Sequence, residues 1–216
     1  MTAGRPAAAA TNSGFCRRPG RRGARAACIR AARELPEEDG SAGLSLRAVA
    51  RRAGVSATAP YRHYADREAL VSAVAAEGYR ELVTHLAQAH PAPSTPGELA
   101  AVAVACVRFE LEHPALFRAM FAEPCDPTSN ERVAATAAIS EYVRTVVGAT
   151  FPGVDADALS TTVWALVHGL AFLHLDGKLD SSTPEIVAAR VTPAVHALFN
   201  AAPAMSGEAA AAQPAV

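Results

Sequence analysis

Between Leu44 and Leu70 the chain reads LSLRAVARRAGVSATAPYRHYADREAL, and few folds suit residues in that order. Leu46, Val49, Ala50 and Ala53 recur at i, i+3, i+4 and i+7, so a short helix has one apolar face while Arg47, Arg51 and Arg52 look outward. Ser45 stands where an N-cap belongs, and Gly54 follows the last periodic residue, ready for the left-handed conformation that ends a helix. Ser56 is then placed to cap a second short helix from Ala57 to about Tyr64. Two short helices joined by a tight turn form a helix-turn-helix. Asp66 caps a third and much longer helix, running to His90, in which Leu70, Val71, Val74, Gly78, Leu82 and Leu86 share a side; such a rod can carry movement from elsewhere to the motif.

Charge separates this region from the rest. Residues 1 to 70 hold thirteen arginines against six acids, net +7, whereas residues 71 to 216 hold seven basic residues against fifteen acids, net −8. A basic first third is the electrostatic footprint of a nucleic-acid-binding domain, and the acidic remainder would be repelled by phosphate. The alanine abundance reflects a GC-rich genome; the charge division does not follow from it. Residues 1–20 mix Gly, Pro, Ala and Arg without periodicity and read as a disordered basic arm. There Arg17 and Arg18, with Arg21 and Arg22 just beyond, either reach DNA or remain solvated. A first helix is expected from Gly23 to Leu35, with Ala24, Ala27, Cys28, Ala31, Ala32 and Leu35 inward. Pro36 should kink it or stop it early.

Beyond Pro91, Pro93, Pro96 and Gly97 every periodic stretch reads as helix. Expected spans are Glu98 to Glu112, a short helix opened by Pro114, Ser129 to Ala149, Asp155 to Leu175, and Thr183 to Phe199 kinked at Pro193, followed by a mobile tail. No stretch reaches the ~18 consecutive apolar residues of a transmembrane helix, and no export signal is evident. Cys16, Cys28, Cys106 and Cys125 include no CxxC pair, which suits a reducing compartment and offers no zinc site; Cys125 would be the choice for a redox-sensing thiol. The expectation is a cytoplasmic protein with no membrane association.

At the Leu44–Leu70 stretch the chain resembles the N-terminal domain of the tetracycline-repressor (TetR) family of bacterial transcription regulators. The matching residues are Gly40, Leu44-Ser45, Val49-Ala50, Ala53-Gly54-Val55-Ser56, Tyr61-Arg62-His63-Tyr64 and Asp66-Arg67-Glu68-Ala69-Leu70. Departures are Tyr64 and Arg67, where the family more often has Phe and Lys, and Pro36, which falls inside the family's first helix. In a helix-turn-helix the N-terminal residues of the second helix lie nearest the base edges, here Ala57, Thr58, Ala59 and then Arg62. The alanines suit thymine methyls, while Arg62 suits guanine or a phosphate. The resemblance implies that Tyr61, His63 and Arg67 hold phosphates, helped by backbone N–H groups at the helix start, Ser45 and Leu46. Tyr64 is the better candidate for a core aromatic and Tyr61 for a contact.

Val163 to Leu173 is apolar all round, so its helix must be covered on more than one side. One cover is the chain's own core and the other a second copy, which makes Leu166, Gly169, Leu170 and Leu173, with Val187, Val191, Val195 and Leu198 of the last helix, candidates for a homodimer interface. Gly169 in mid-helix suggests close helix approach. The Trp164-x-x-x-His168-Gly169 pattern also resembles a C-terminal domain type in one branch of this family. Resemblance implies a pocket for a small-molecule effector of unknown identity. Its lining would come from Phe109, Phe117, Met120, Phe121, Tyr142, Trp164, His168 and Phe172, although an aromatic or Met at helical spacing is more often core than pocket, and His168 suits an interior or interface position as well as a ligand contact.

Enzyme motifs are missing: there is no glycine-rich phosphate loop, GxSxG or HExxH, and the histidines are spread out. The expectation is an all-α homodimer without catalysis, cofactor or metal. It has an arm at 1–20, a three-helix helix-turn-helix domain at 21–75, a helical effector and dimerisation domain at 76–201, and a tail at 202–216. It binds a double-stranded DNA operator, most often as a repressor released by an effector. The alternative is a helical dimer that acts through a protein partner or binds DNA without a small ligand.

Overall fold

A computed structural model describes residues 21–34, 45–121 and 126–210, the outermost residues 21–22 and 201–210 by backbone alone. The described residues form eight α-helices, one turn of 3-10 helix and no strand. They are α1 (Arg21–Arg33), α2 (Leu46–Arg52), the 3-10 turn Pro60–Arg62, α3 (Arg67–Ala89), α4 (Pro96–Glu112), α5 (Pro114–Phe121), α6 (Asn130–Thr150), α7 (Ala156–Leu175) and α8 (Pro184–Ala210). The expected arm, Leu35, Pro36, Gly40, Leu44 and Cys125 lie outside the described residues.

Local chemistry sets these boundaries. The Ser45 hydroxyl accepts from the Ala48 N–H at 3.2 Å and starts α2. Gly54, at φ +65°, ends it, while Val55 N–H reaches back to Ala50 O at 3.0 Å. The Asp66 carboxylate accepts from Ala69 N–H at 2.8 Å and opens α3. α4 begins two residues before the expected Glu98, because Thr95 and Glu98 form a reciprocal capping box. α8 continues past Ala201 to Ala210, through residues expected to be a tail.

The expected second helix of the motif is not α-helical. Pro60 has no N–H to give to Ser56, so the Ser56 carbonyl takes Ala59 N–H at 2.9 Å instead. Arg62 N–H then bonds to Ala59 O and His63 N–H to Pro60 O in the tighter 3-10 pattern. Pro60 and Tyr64 turn into the core, and Tyr61 and Arg62 turn out.

α3 is the common axis. Its first half packs Leu70, Val71 and Val74 with Cys28, Ile29, Leu46, Val49 and Tyr64 of the small domain, and its second half packs on α4, α5 and α6. α4 in turn lies on α7 and α8. Ion pairs tie the two domains across α3. The Arg33 guanidinium grips Glu81 with bonds of 2.5 and 2.8 Å, and Glu131 at the start of α6 takes Arg25 of α1 at 2.5 Å and Arg80 of α3 at 2.6 Å. At Gly78 an added Cβ would lie 2.6 Å from Met120 Sδ and 2.8 Å from Leu116 Cδ1, so α3 and α5 meet there closely enough to need glycine. The close approach expected at Gly169 is not made within this chain, where a Cβ would meet nothing within 4 Å.

Candidate DNA-binding face and effector cavity

The motif presents one exposed surface. Arg47 and Arg51 project from α2, Ala57 and Thr58 from the turn, and Tyr61 and Arg62 from the 3-10 segment, with Tyr61 52% exposed. Ala59, His63 and Arg67 are half-buried at its edge. Leu46 is buried, so only its backbone is available to a phosphate. The charges on this surface are unspent: Arg47, Arg51 and Arg62 have no carboxylate partner among the described residues, whereas Arg25, Arg33 and Arg52 are paired with Glu131, Glu81 and Glu34. Free guanidinium groups on one face are what a polyphosphate surface recruits. Tyr64 is only 3% exposed, and burial pushes its phenol up to about 12, as befits a core ring and not a phosphate contact.

In the second domain α3, α4, α6 and α7 enclose an apolar cavity of about 40 Å³. Of the residues expected to line a pocket, Tyr142, Trp164 and His168 do so, with Leu86, Cys106 and Val163 among their neighbours. Phe109, Phe117 and Met120 are instead buried in the core, and Phe121 and Phe172 are half-buried in an aromatic stack behind the cavity. Ring centroids there are 4.6 Å apart for Phe117–Phe172, 4.0 Å for Phe121–His168 and 4.9 Å for Trp164–His168. Packing therefore turns most of the expected lining into wall structure. The volume exceeds what one water needs and falls far below the several hundred Å³ of a drug-sized site.

Behind His168 lies a polar group that sequence reading passed over. Glu110 is 1% exposed, and its Oε1 is 2.7 Å from His168 Nδ1 and 3.6 Å from Cys106 Sγ. The His168 contact is close but off the ideal hydrogen-bond direction, and Glu110 Oε2 has no partner among the described residues. Burial raises the Glu110 carboxyl above its ordinary value, with His168 pulling part of the way back; burial likewise pushes the Cys106 thiol well up, so Cys106 is an inert thiol. A lone glutamate in a helical pattern reads as a solvated residue, and nothing in the sequence separates Glu110 from Glu112 beside it, which is exposed.

Residues 29–74 match the family model for bacterial regulatory proteins of the tetR family, and residues 99–206 match the tetracyclin repressor-like C-terminal domain, half of the chain. The chain belongs to the TetR family. A protein of unknown function from Rhodococcus sp. RHA1 is 31% identical over 86% of this chain and 98% of its own, with a TM-score of 0.67. A tetR-family regulatory protein from Rhodococcus RHA1 is 23% identical over 80% and 95%, with a TM-score of 0.61. The fold is shared with FadR of Bacillus subtilis, solved in complex with stearoyl-CoA, at 12% identity over 79% and 95% and a TM-score of 0.64. No curated protein matches the chain. As a member of this family it is a DNA-binding transcription regulator with a helical second domain.

This TetR-family chain corrects the expected dimer surface. Val187, Val191 and Val195 are 0–2% exposed and fill the chain's own core where α8 packs on α4, and Leu170 is also buried, so a second copy cannot reach them. Leu166 and Leu198 are half-buried. What α7 leaves open is a stripe of Thr162, Ala165, Gly169 and Leu173, and α8 offers Ile186, Arg190, Pro193 and Ala197. The sequence marks Val187, Val191 and Val195 as apolar but does not say whether their cover comes from within or from a partner. α7 is also the one helix among the described residues that is long and apolar enough to span a membrane; it carries buried His168 and His174 and packs on α4 and α6 as a core helix does.

Proposed function

We propose that the protein is a homodimeric, cytoplasmic repressor whose grip on a roughly palindromic operator is released by a small molecule in the second domain. The observation that carries this reading is the exposed cluster of Arg47, Arg51, Tyr61 and Arg62 at one end of α3, its arginines without a carboxylate partner among the described residues, while the other half of α3 supplies Leu82 and Leu86 to the cavity wall. One rigid helix of 23 residues, ~34 Å long at 1.5 Å per residue, thus touches both the motif and the cavity. An effector that opens the cavity must shift α3 or its neighbours, and to release DNA well it must favour the non-binding state by several kcal/mol. FadR bound to stearoyl-CoA is an example of a ligand on this fold.

Thr58 and Arg62 are assigned to base edges, and Tyr61, His63 and Arg67 to phosphates. Arg62→Ala and Tyr61→Ala proteins that keep the parent far-UV spectrum are expected to lose about ten-fold or more in operator affinity, read by fluorescence anisotropy. Parent-like affinity in both would remove these assignments. A regulator that needs no small ligand is the second reading, and the small size of the cavity favours it. Failure of any compound to release the operator from an otherwise selective protein would decide for it.

A further inference from the structure

Beside the small cavity, and sharing Val143 and Trp164 with it, a wider groove of about 770 Å³ runs between α6 and α7 with α3 and α5 at one end. Its volume lies in the range of small-molecule sites. At that end Tyr79, Met120, Phe121 and Trp164 give it an apolar wall, with Phe121 packed edge-on between Tyr79 (5.5 Å) and Trp164 (6.2 Å). Arg132 lines the same end, in the first turn of α6. Its Nε is shut off from solvent without a hydrogen-bond partner, and its guanidinium has no carboxylate partner among the described residues. The groove's other charges are gathered elsewhere. Glu141 holds Arg144 through bonds of 2.7 to 2.9 Å and Asp157 faces that pair, ~13 Å of helix rise away from Arg132. One end of the groove therefore offers an unspent cation beside aromatic surface, reinforced by the positive end of α6.

We infer that this groove recognises an organic acid with an apolar body, its carboxylate on Arg132 and its body along Phe121 and Trp164 toward the cavity. The inference rests on the effector reading above and names the chemistry of the effector. It also supplies a route to DNA: Glu131, the residue before Arg132 in the first turn of α6, holds Arg25 of the DNA-binding domain, so an anion drawing Arg132 toward the groove acts on the same turn that clamps α1.

Trp164 is the chain's single tryptophan, so its fluorescence reports occupancy with no DNA present. The full-length protein is titrated with decanoate, decanol and decyltrimethylammonium, all below their micelle concentrations. Decanoate is expected to bind about ten-fold tighter than decanol. Arg132→Gln should bring decanoate down to the level of decanol while leaving decanol unchanged, and Arg132→Lys should keep most of the preference. Equal affinities, a preference for the ammonium, an unaltered decanoate affinity in Arg132→Gln, or no saturable change with any probe, as when a second copy fills the groove, would overturn the inference. Because no operator is present, those outcomes leave the DNA-binding reading standing. Loss of operator binding by a protein that still responds to decanoate would strike the repressor reading and leave this one.

Discussion

Glu110 is the residue whose chemistry departs furthest from its surroundings. A carboxyl raised by burial binds its proton more tightly in the folded chain than in the unfolded one, so folded protein holds more protons between the ordinary value of 4.5 and the raised value. The sign follows: its contribution to stability is most favourable below 4.5 and declines as pH rises through that window. Glu110→Gln abolishes the titration. Thermal melts from pH 4 to 8 should show the parent losing ground to Glu110→Gln as pH rises; a parent that gains on the variant would mean that the attraction of His168 outweighs desolvation. Neither effect is legible in the sequence, where Glu110 looks like any helical glutamate and acquires its character only when α7 brings His168 to 2.7 Å. Tyr61 and Tyr64 are the opposite case. Three-residue spacing alone would put both rings on one side of a helix; they separate into exposed and buried because the chain leaves the 3-10 turn at His63, and it was the family resemblance that marked Tyr61 as a contact and Tyr64 as core.

Elements follow the same division. Boundaries set by adjacent residues were readable: Ser45, Gly54 and Asp66 begin and end helices as their side chains and backbone freedom dictate. The 3-10 form of Pro60–Arg62 was less so, because proline at the first position of a helix is ordinary and only the run of short-range bonds, Ala59 N–H to Ser56 O, Arg62 N–H to Ala59 O and His63 N–H to Pro60 O, shows the tighter turn. Helix partners within the chain were not readable, so the close approach of α3 and α5 at Gly78 went unexpected, while the one expected at Gly169 has no neighbour in the same chain. Gly78→Ala would press a Cβ onto Met120 and Leu116, both buried, at a cost of about 1–3 kcal/mol that only partly yields to the ~1 kcal/mol gain in helix propensity. Calorimetry should find a Tm several degrees lower. A Tm equal to or above the parent's would show that α5 can move away freely.

At the scale of the molecule, the charge division into a basic first third and an acidic remainder matches what the ion pairs leave over: Arg25 and Arg33, which face the second domain, are spent on Glu131 and Glu81, and Arg47, Arg51 and Arg62 of the motif have no carboxylate partner among the described residues. The apolar excess of α7 was also legible, but its allocation was not: α4 and α6 supply its inner cover, Val187, Val191 and Val195 of α8 turn to α4, and the small-residue stripe of Thr162, Ala165 and Gly169 is left outside. If that stripe meets a second copy, Gly169→Leu should halve the mass in light scattering while helical content stays the same, because nothing in the same chain lies near the new side chain. Unchanged mass would place the dimer contact elsewhere. Sequence-selective DNA binding remains the central claim, and a mobility shift of the purified protein on the intergenic DNA beside its own gene tests it most directly. Run at 50 and 200 mM salt against an unrelated duplex, it should show tight binding that weakens steeply with salt yet keeps its preference for the intergenic fragment at both. Binding no better than to the control duplex at either salt would contradict an operator beside the gene and leave Arg47, Arg51 and Arg62 without their target.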